Sequence, residues 1–431
     1  MFSAIANSII WIMVLVMIVA GIINILKPKN EFGEQFMEAF NLVGNLFVCS
    51  AGMMASVPYV EKFSVWAFSG LFEAIGADVS IAPCLFIAAD NGAYQLAHAL
   101  AETPGDWMFA NVVAYLAGPI VCYIIPVSFS IIPARDKKYC ALGLMCGLVS
   151  IPFGLFVTMV LLKIGNVMIR ADVSADAPSN TPLNLEMADI LHNMIPLTVF
   201  CLILALLLYF VTDITVRVMT AVGNAITVIA RIIFVFAVFE YFTGFFEKVL
   251  GYWGFAPILA DEENTLRALE IVGGVGMMLA GAYPLVWLIR RYCARPLEKL
   301  GKVIGISSIG ITSFLTSACD SIITFGMFKD IHPEDKVKTV AFSVCGAWIL
   351  GAHISFTVNT QPTILVPLMI GKLVGAIIAL VIAWVIAVPV ARRYMQKDIE
   401  EGIIGPEEYM TREQLPPFAL KKLSAEGKTI E

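Results

Sequence analysis

Apolar residues run along this chain in long unbroken stretches, not in the alternating or three-to-four spaced patterns of water-soluble elements. A bilayer core takes about 20 apolar residues per helix. The pattern predicts nine such helices, at roughly 5–26, 38–60, 106–132, 139–166, 188–212, 218–245, 268–292, 337–358 and 363–391. Two further segments, about 63–102 and 303–328, are apolar but studded with polar residues. No basic residue precedes the first run, and Lys27 and Lys29 follow it, so it reads as a retained first helix with its N-terminus outside.

Composition agrees: 59% hydrophobic and 14% charged residues with a mean hydropathy of +0.84 describe an integral membrane protein, all-α and polytopic. With 28 basic against 34 acidic residues there is no positive surplus for nucleic acid, and the lipid bilayer is the expected partner. The nine cysteines form no CxxC pair and the four histidines are dispersed, so neither a disulfide framework nor a metal or other cofactor is expected.

Basic loops near helix ends stay in the cytoplasm. With the N-terminus outside, 21 of the 28 Lys and Arg residues fall on inner segments and only Lys62, Arg170, Lys248 and Arg267 on outer ones. That count requires 63–102 and 303–328 each to return to the side they left, which makes them re-entrant hairpins.

The two hairpins share a pattern. Ser80–Asp90 lies over Gly310–Asp320, matching Ile81 with Ile311, Leu85 with Leu315, Ala88 with Ala318 and Asp90 with Asp320. Further anchors keep the same order: Pro104 over Pro333, Ser128 over Ser355, Gly52 over Gly281. The expectation is an inverted-topology repeat: 1–168 as the first half, 169–213 as an outside linker and connecting helix, 214–392 as the second half and 393–431 as a cytoplasmic tail. Inverted repeats with interrupted elements are the architecture of secondary transporters, which bind substrate near the midplane.

Ionisable groups in hydrocarbon are costly and tend to be functional or paired. Asp90 and Asp320, equivalent in the repeat, are the leading candidates for holding a small cation, with helix capping as the plain alternative. Asn91, Gln95 and His98 follow Asp90 at spacings that place them on one helical face, with Tyr94 beside them. Thr316, Ser317 and Ser321 bring hydroxyls next to Asp320. Phe314, Trp348 and Phe356 offer rings to an ammonium, and His353, Asn359 and Gln361 form a polar break late in the chain. Arg231 and Glu240 are expected to pair with other helices. Lys372 reads as a snorkelling lysine, with a fixed internal cation as its functional alternative. The glycines Gly273, Gly274 and Gly276 read as close helix packing.

The run Ala89-Asp-Asn-Gly-Ala-Tyr-Gln-Leu-Ala-His-Ala-Leu100, with Ser317-Ala-Cys-Asp-Ser321 and Gly351-Ala-His-Ile-Ser-Phe-Thr357, resembles the bacterial ethanolamine-utilisation permease family, from the first span to about residue 400. The resemblance implies an inner-membrane permease that admits ethanolamine for breakdown by a cytoplasmic lyase, and it implies no enzymatic activity. Ethanolamine, largely protonated near neutral pH, would offer an ammonium to a carboxylate and a hydroxyl to an amide. The same fold would also serve an ion-coupled carrier of another small solute such as a nucleoside, and a membrane-embedded enzyme or sensor is the reading from another class. A coupling ion, H+ or Na+, is left open, and a homo-oligomer is compatible with this fold class.

Overall fold

The computed structural model describes residues 2–173, 177–261, 265–303 and 306–403. Of the expected tail 393–431, residues 393–400 are helical and 404–431 lie outside the described residues, as does Asp176 of the outer linker. In chain order the helices are α1 (Phe2–Leu26), α2 (Glu31–Ala55), α3 (Val57–Ala74), α4 (Ile81–Cys84), α5 (Ala93–Leu100), α6 (Pro104–Leu116), α7 (Ile125–Ile131), α8 (Lys137–Ile164) and α9 (Met187–Phe210). They continue as α10 (Thr212–Thr243), α11 (Phe245–Leu250), α12 (Ala268–Val303), α13 (Ser308–Cys319), α14 (Ser321–Gly326), α15 (Pro333–Gly346), α16 (Ala352–Thr360), α17 (Leu365–Ile382) and α18 (Val388–Glu400). Between α8 and α9 a small antiparallel pair forms, β1 (Met168–Arg170) with β2 (Ser179–Pro182).

Among the described residues eight helices are long and apolar enough to cross a membrane, spanning 2–26, 31–55, 104–131, 134–164, 187–210, 212–243, 268–293 and 362–400. The ninth expected span, 337–358, is instead two helices, α15 and α16, parted at 347–351. The break is tertiary in origin: Trp348 donates its amide to the carbonyl of Ser317 at 3.1 Å and Leu350 to that of Ala318 at 2.8 Å, pulling the chain off the helical path towards the end of α13. Trp348 sits at φ 56°, a left-handed backbone that a bulky aromatic adopts only when its surroundings impose it.

The first polar segment also differs from the expected hairpin. Its opening part is the eighteen-residue helix α3, with Trp66 81% exposed and Phe63 and Leu71 exposed beside it. Only the chain from Asp78 to Glu102 doubles back. A carboxylate closes its neck, Asp78 Oδ2 accepting from the Glu102 amide at 3.1 Å, and Asp90 falls midway between them. The second segment has the same construction: Asp335 Oδ2 accepts from the Ser307 amide at 2.9 Å, Thr324 Oγ1 donates across to the Ser313 carbonyl at 3.3 Å, and Asp320 stands at the turn.

Each doubled-back segment leads into an interrupted helix that starts on a side-chain cap followed by proline, Thr103 before Pro104 and His332 before Pro333. In each interrupted helix one glycine lies so close to the preceding segment that a methyl group would overlap a carbonyl, Gly118 against Ile87 and Gly351 against Cys319. At the centre α8 crosses α17, where a methyl on Gly371 would overlap the Gly154 carbonyl and the Thr158 hydroxyl. Large apolar side chains of α1, α9 and α10, among them Trp11, Leu202, Phe210 and Phe242, face outward as a belt that only lipid or another apolar surface would cover.

The polar ends sort cleanly. At one end the β1–β2 pair meets the finish of α16, and Asp78 and Asp106 meet Asn193 of α9. At the other, buried Lys336 pairs with Asp136 at 2.7 Å, Lys138 and Tyr139 meet Asp398, and Arg392 grips Glu334 through two bonds of 2.7 and 3.1 Å. These are the groupings that the basic-residue count assigns to outer and inner loops.

Candidate functional site

The chain around Asp90 is held largely by its backbone. Gly92, at φ 98°, turns the chain in a left-handed conformation that a side chain would strain, separating the short 89–91 turn from α5. Ser50 of α2 donates to the Asp90 carbonyl at 2.7 Å, and the Asn91 side-chain oxygen accepts from the Tyr123 hydroxyl at 2.9 Å. The Asp90 Oδ1 atom is buried with no hydrogen-bond partner among the described residues.

Other unpartnered polar atoms lie on α5, α6 and α16, the helices packed against the 89–91 turn. Both amide atoms of Gln95, both of Asn111 and Nδ1 of His353 are buried without a partner among the described residues. Asn111 lies on the same stripe of α6 as Trp107 and Tyr115. Trp107 packs on Tyr94 and His98, while the Tyr115 ring packs edge-on against His353 at 5.2 Å and Phe356 at 6.1 Å. Orphaned buried polar groups cost about 1–3 kcal/mol each. Such a concentration is what a polar ligand would relieve.

Lys372 belongs to the same centre. Its side chain is 1% exposed, so it does not snorkel; α17 carries it inward, where Nζ donates to the Tyr115 carbonyl at 3.3 Å within electrostatic reach of Asp90, Cys345 and His353.

Asp320 is placed differently. Its Oδ1 accepts from the Ile322 amide at 2.9 Å as the N-cap of α14, and the carboxylate also accepts from the Trp348 side chain. Two rings connect the doubled-back segments, since Trp348 packs on Tyr123 at 6.1 Å and Tyr123 bonds Asn91.

Of the remaining candidates, Phe356 and His353 pack on the Tyr115 ring, Tyr94 packs on Phe356, and Gln95 lies on α5, which packs against the 89–91 turn. The expected common face of Asn91, Gln95 and His98 is broken at Gly92, and His98 instead reaches the Ala171 carbonyl at 3.4 Å. Phe314 stacks on Phe342, the Ser317 and Ser343 hydroxyls meet at 2.6 Å, and Thr316 bonds back to the Thr312 carbonyl, so these three pack α13. Ser321 Oγ is buried without a partner among the described residues. Asn359 and Gln361 belong to a clamp with Arg170: Nη1 donates to the Asn359 and Thr360 carbonyls at 2.8 and 2.6 Å, and Gln361 reaches the Tyr94 hydroxyl at 3.1 Å. Glu240, expected to pair with another helix, caps the first turn of α11 through the Phe246 and Glu247 amides.

Asn111, Tyr115 and Tyr123 were not singled out from the sequence. The available signal was an amide in the middle of an otherwise apolar run, which a scan for ionisable groups alone passes over. Among the described residues no three His, Cys, Asp or Glu side chains come together as metal ligands would. A cleft of about 640 Å³ opens away from this centre, beside Asp78, Asp106, Asp189 and Asn193. The Asp78 and Asp106 carboxylates there are already engaged, with Ser80 and Glu102 amides on one and Thr103 and Asn193 on the other.

A sequence profile described as Ethanolamine utilisation protein, EutH, matches residues 5–386. A protein of Listeria monocytogenes named Probable ethanolamine permease EutH is 29% identical over 371 residues, covering 86% of this chain and 91% of that one. A Salmonella typhimurium protein of the same name is 28% identical over 80% of this chain and 83% of its own length. Bacillus subtilis YxeR, described as uncharacterized, is 27% identical over 79% of this chain and 84% of its own length. No solved structure matches the chain.

Proposed function

The chain belongs to the family of the Ethanolamine utilisation protein, EutH, and from that premise we propose that it is a permease carrying protonated ethanolamine across the bacterial inner membrane, by facilitated or secondary transport, to supply ethanolamine breakdown. The observation that carries this reading is the buried Asp90 carboxylate oxygen without a partner among the described residues, together with the equally unpartnered amides of Gln95 and Asn111 and Nδ1 of His353 on α5, α6 and α16, the helices packed against the 89–91 turn. A primary ammonium offers three N–H donors and a hydroxyl offers one donor and two acceptors. Asp90 takes the ammonium through a charge-assisted bond, the kind roughly twice as strong as a neutral one. Gln95, Asn111 and His353 share the hydroxyl, Asn91 is held in place by Tyr123, and Tyr94 and Phe356 line the site.

The segments 78–102 and 307–335 are read as re-entrant hairpins of two oppositely facing halves. Their shared construction and the recurrent order of elements support this, with α3 lying over 286–303, the last part of the continuous helix α12, in the register that Gly52 and Gly281 set. The N-terminus lies outside and the C-terminus in the cytoplasm, supported by the basic-residue count and by the way the polar ends sort. Asp320, with Thr316, Ser317 and Ser321, acts from the far side of the Trp348 and Tyr123 rings. Its part is to hold the α15–α16 break while Asp90 meets the substrate.

The test is uptake of radiolabelled ethanolamine at low pH into proteoliposomes holding the purified protein, with and without Na+ and pH gradients, beside Asp90→Asn. Saturable uptake that the variant loses is the expected result, and the gradient dependence identifies the coupling ion. Uptake equal to that of protein-free vesicles would overturn the assignment, and competition by nucleosides would redirect it to another solute.

A further inference from the structure

Lys372 presents an electrostatic difficulty for any cation carried at Asp90. The residue is 1% exposed, its Nζ donates to the Tyr115 carbonyl at 3.3 Å, and Asp90 is the one carboxylate among the described residues that acts on it electrostatically. A cationic substrate arriving there would put two positive charges against one negative in a buried site, where charge is costly.

The surroundings of Lys372 are otherwise nearly uncharged. Asp90 faces it from the 89–91 turn, Cys345 from α15 and His353 from α16, with the Tyr115 carbonyl from α6. The charged residues of α15 lie near its start, at Glu334, Asp335, Lys336 and Lys338, and those of α8 at Lys137, Lys138 and Lys163 near its ends. Against the neighbouring residue Gly371, α8 presents Gly154 and Thr158. Helix α1 and the 362–364 and 383–387 turns contain no charged residue.

We infer that Lys372 is the exchangeable internal counter-ion of Asp90. When ethanolammonium takes the carboxylate, the Lys372 ammonium gives its proton to the aqueous side from which the substrate entered. When the substrate leaves on the other side, the amine regains a proton there. Each cycle then moves one ethanolammonium inward and one proton outward, no net charge crosses, and the site keeps the same charge loaded or empty. The inference rests on the transport reading above and adds to it the coupling.

The experiment uses full-length protein in proteoliposomes at low pH, with a tenfold inward-negative potassium gradient set by valinomycin and protein-free vesicles subtracted. Wild-type saturable uptake is expected to be indifferent to the potential. Lys372→Met, which fixes the position as neutral, is expected to turn the carrier into a cation uniporter that accumulates ethanolammonium about tenfold under the same gradient, since such a cation follows the potential as potassium does. Lys372→Arg, whose side chain cannot shed its proton, is expected to lose uptake. Wild-type uptake driven by the potential overturns the exchange whether or not either variant folds. So does a folded K372M protein that is inert or indifferent to potential, or a K372R protein that transports normally. Absence of any saturable wild-type uptake is a distinct result: it removes the substrate assignment, and this inference with it.

Discussion

The Lys336 ammonium and the Asp136 carboxylate meet at 2.7 Å with both side chains wholly buried, tying the first turn of α15 to the turn before α8. A buried pair is strong only while both partners stand, because each charge depends on the other to offset its desolvation. Lys336→Met should therefore cost roughly 3–5 kcal/mol, whereas replacing both, Lys336→Met with Asp136→Leu, should recover most of that loss. Thermal unfolding of the detergent-solubilised protein measures both. Equal destabilisation by the single and double variants would show that the pair contributes little through its charges.

Asp90 and Asp320 occupy matching positions but have different chemical partners, and their variants should separate. Asparagine caps helices about as well as aspartate but offers one acceptor oxygen, so Asp320→Asn should keep the cap, lose the Trp348 bond and cost about 1 kcal/mol, while Asp320→Ala loses both and costs about 2 kcal/mol. Asp90→Asn removes the carboxylate that offsets the buried Lys372 ammonium, so it should abolish saturable uptake and lower the melting temperature, and adding Lys372→Met should recover the melting temperature but not the uptake. Saturable uptake that survives in a folded Asp90→Asn protein would mean that Asp90 does not meet the substrate.

The long helices were legible because hydrocarbon imposes a length and an apolar composition, and both can be read along the chain. What escaped the reading depends on contacts distant in sequence. The 337–358 run is apolar enough to read as one span, and it is the Ser317 and Ala318 carbonyls, on another helix, that hold its break at Trp348 and Leu350. Lys372 lies well inside an apolar run, and its side chain could have reached the interface or the core. The packing of α8, α15 and α16 on α17 turns it inward, which no local pattern reveals. Asp90 was recognised because a charge in such surroundings is conspicuous. Asn111 and Tyr115 were passed over because amides and phenols are common between membrane helices, and their meaning comes from converging on the same centre.

The glycines of α12 make a sharp comparison. A methyl at Gly274 would overlap the Asn359 side chain, whose amide donates to the Ile271 carbonyl at 3.2 Å, whereas a methyl at Gly273 meets nothing within 4 Å. Gly274→Ala should destabilise by about 1–3 kcal/mol, the usual cost of overpacking. Gly273→Ala should be neutral or gain up to about 1 kcal/mol from helix propensity. Close packing thus explains Gly274 and not Gly273, and equal melting temperatures for the two variants would refute the distinction.

Arg170 joins the β1–β2 pair to the finish of α16. Its guanidinium supplies donors to two of the last carbonyls of that helix, at Asn359 and Thr360, where the helix dipole favours a cation. Its backbone amide donates to Gln361 at 3.0 Å, and Gln361 in turn reaches Tyr94 on α5. Arg170→Ala removes the side-chain bonds but keeps the backbone one, so the loss should be local: faster amide exchange in 168–182 and 359–361, with α8 and α17 unchanged. Arg170→Lys should restore part of the protection, because both carbonyls are reached from the single Nη1 atom and one ammonium also carries enough donors for two. Exchange that stays slow in Arg170→Ala would show that the backbone contacts and the packing of Gln361 hold the clamp without the guanidinium. Exchange that quickens throughout α8 and α17 would make Arg170 a determinant of the whole fold, not of this end alone.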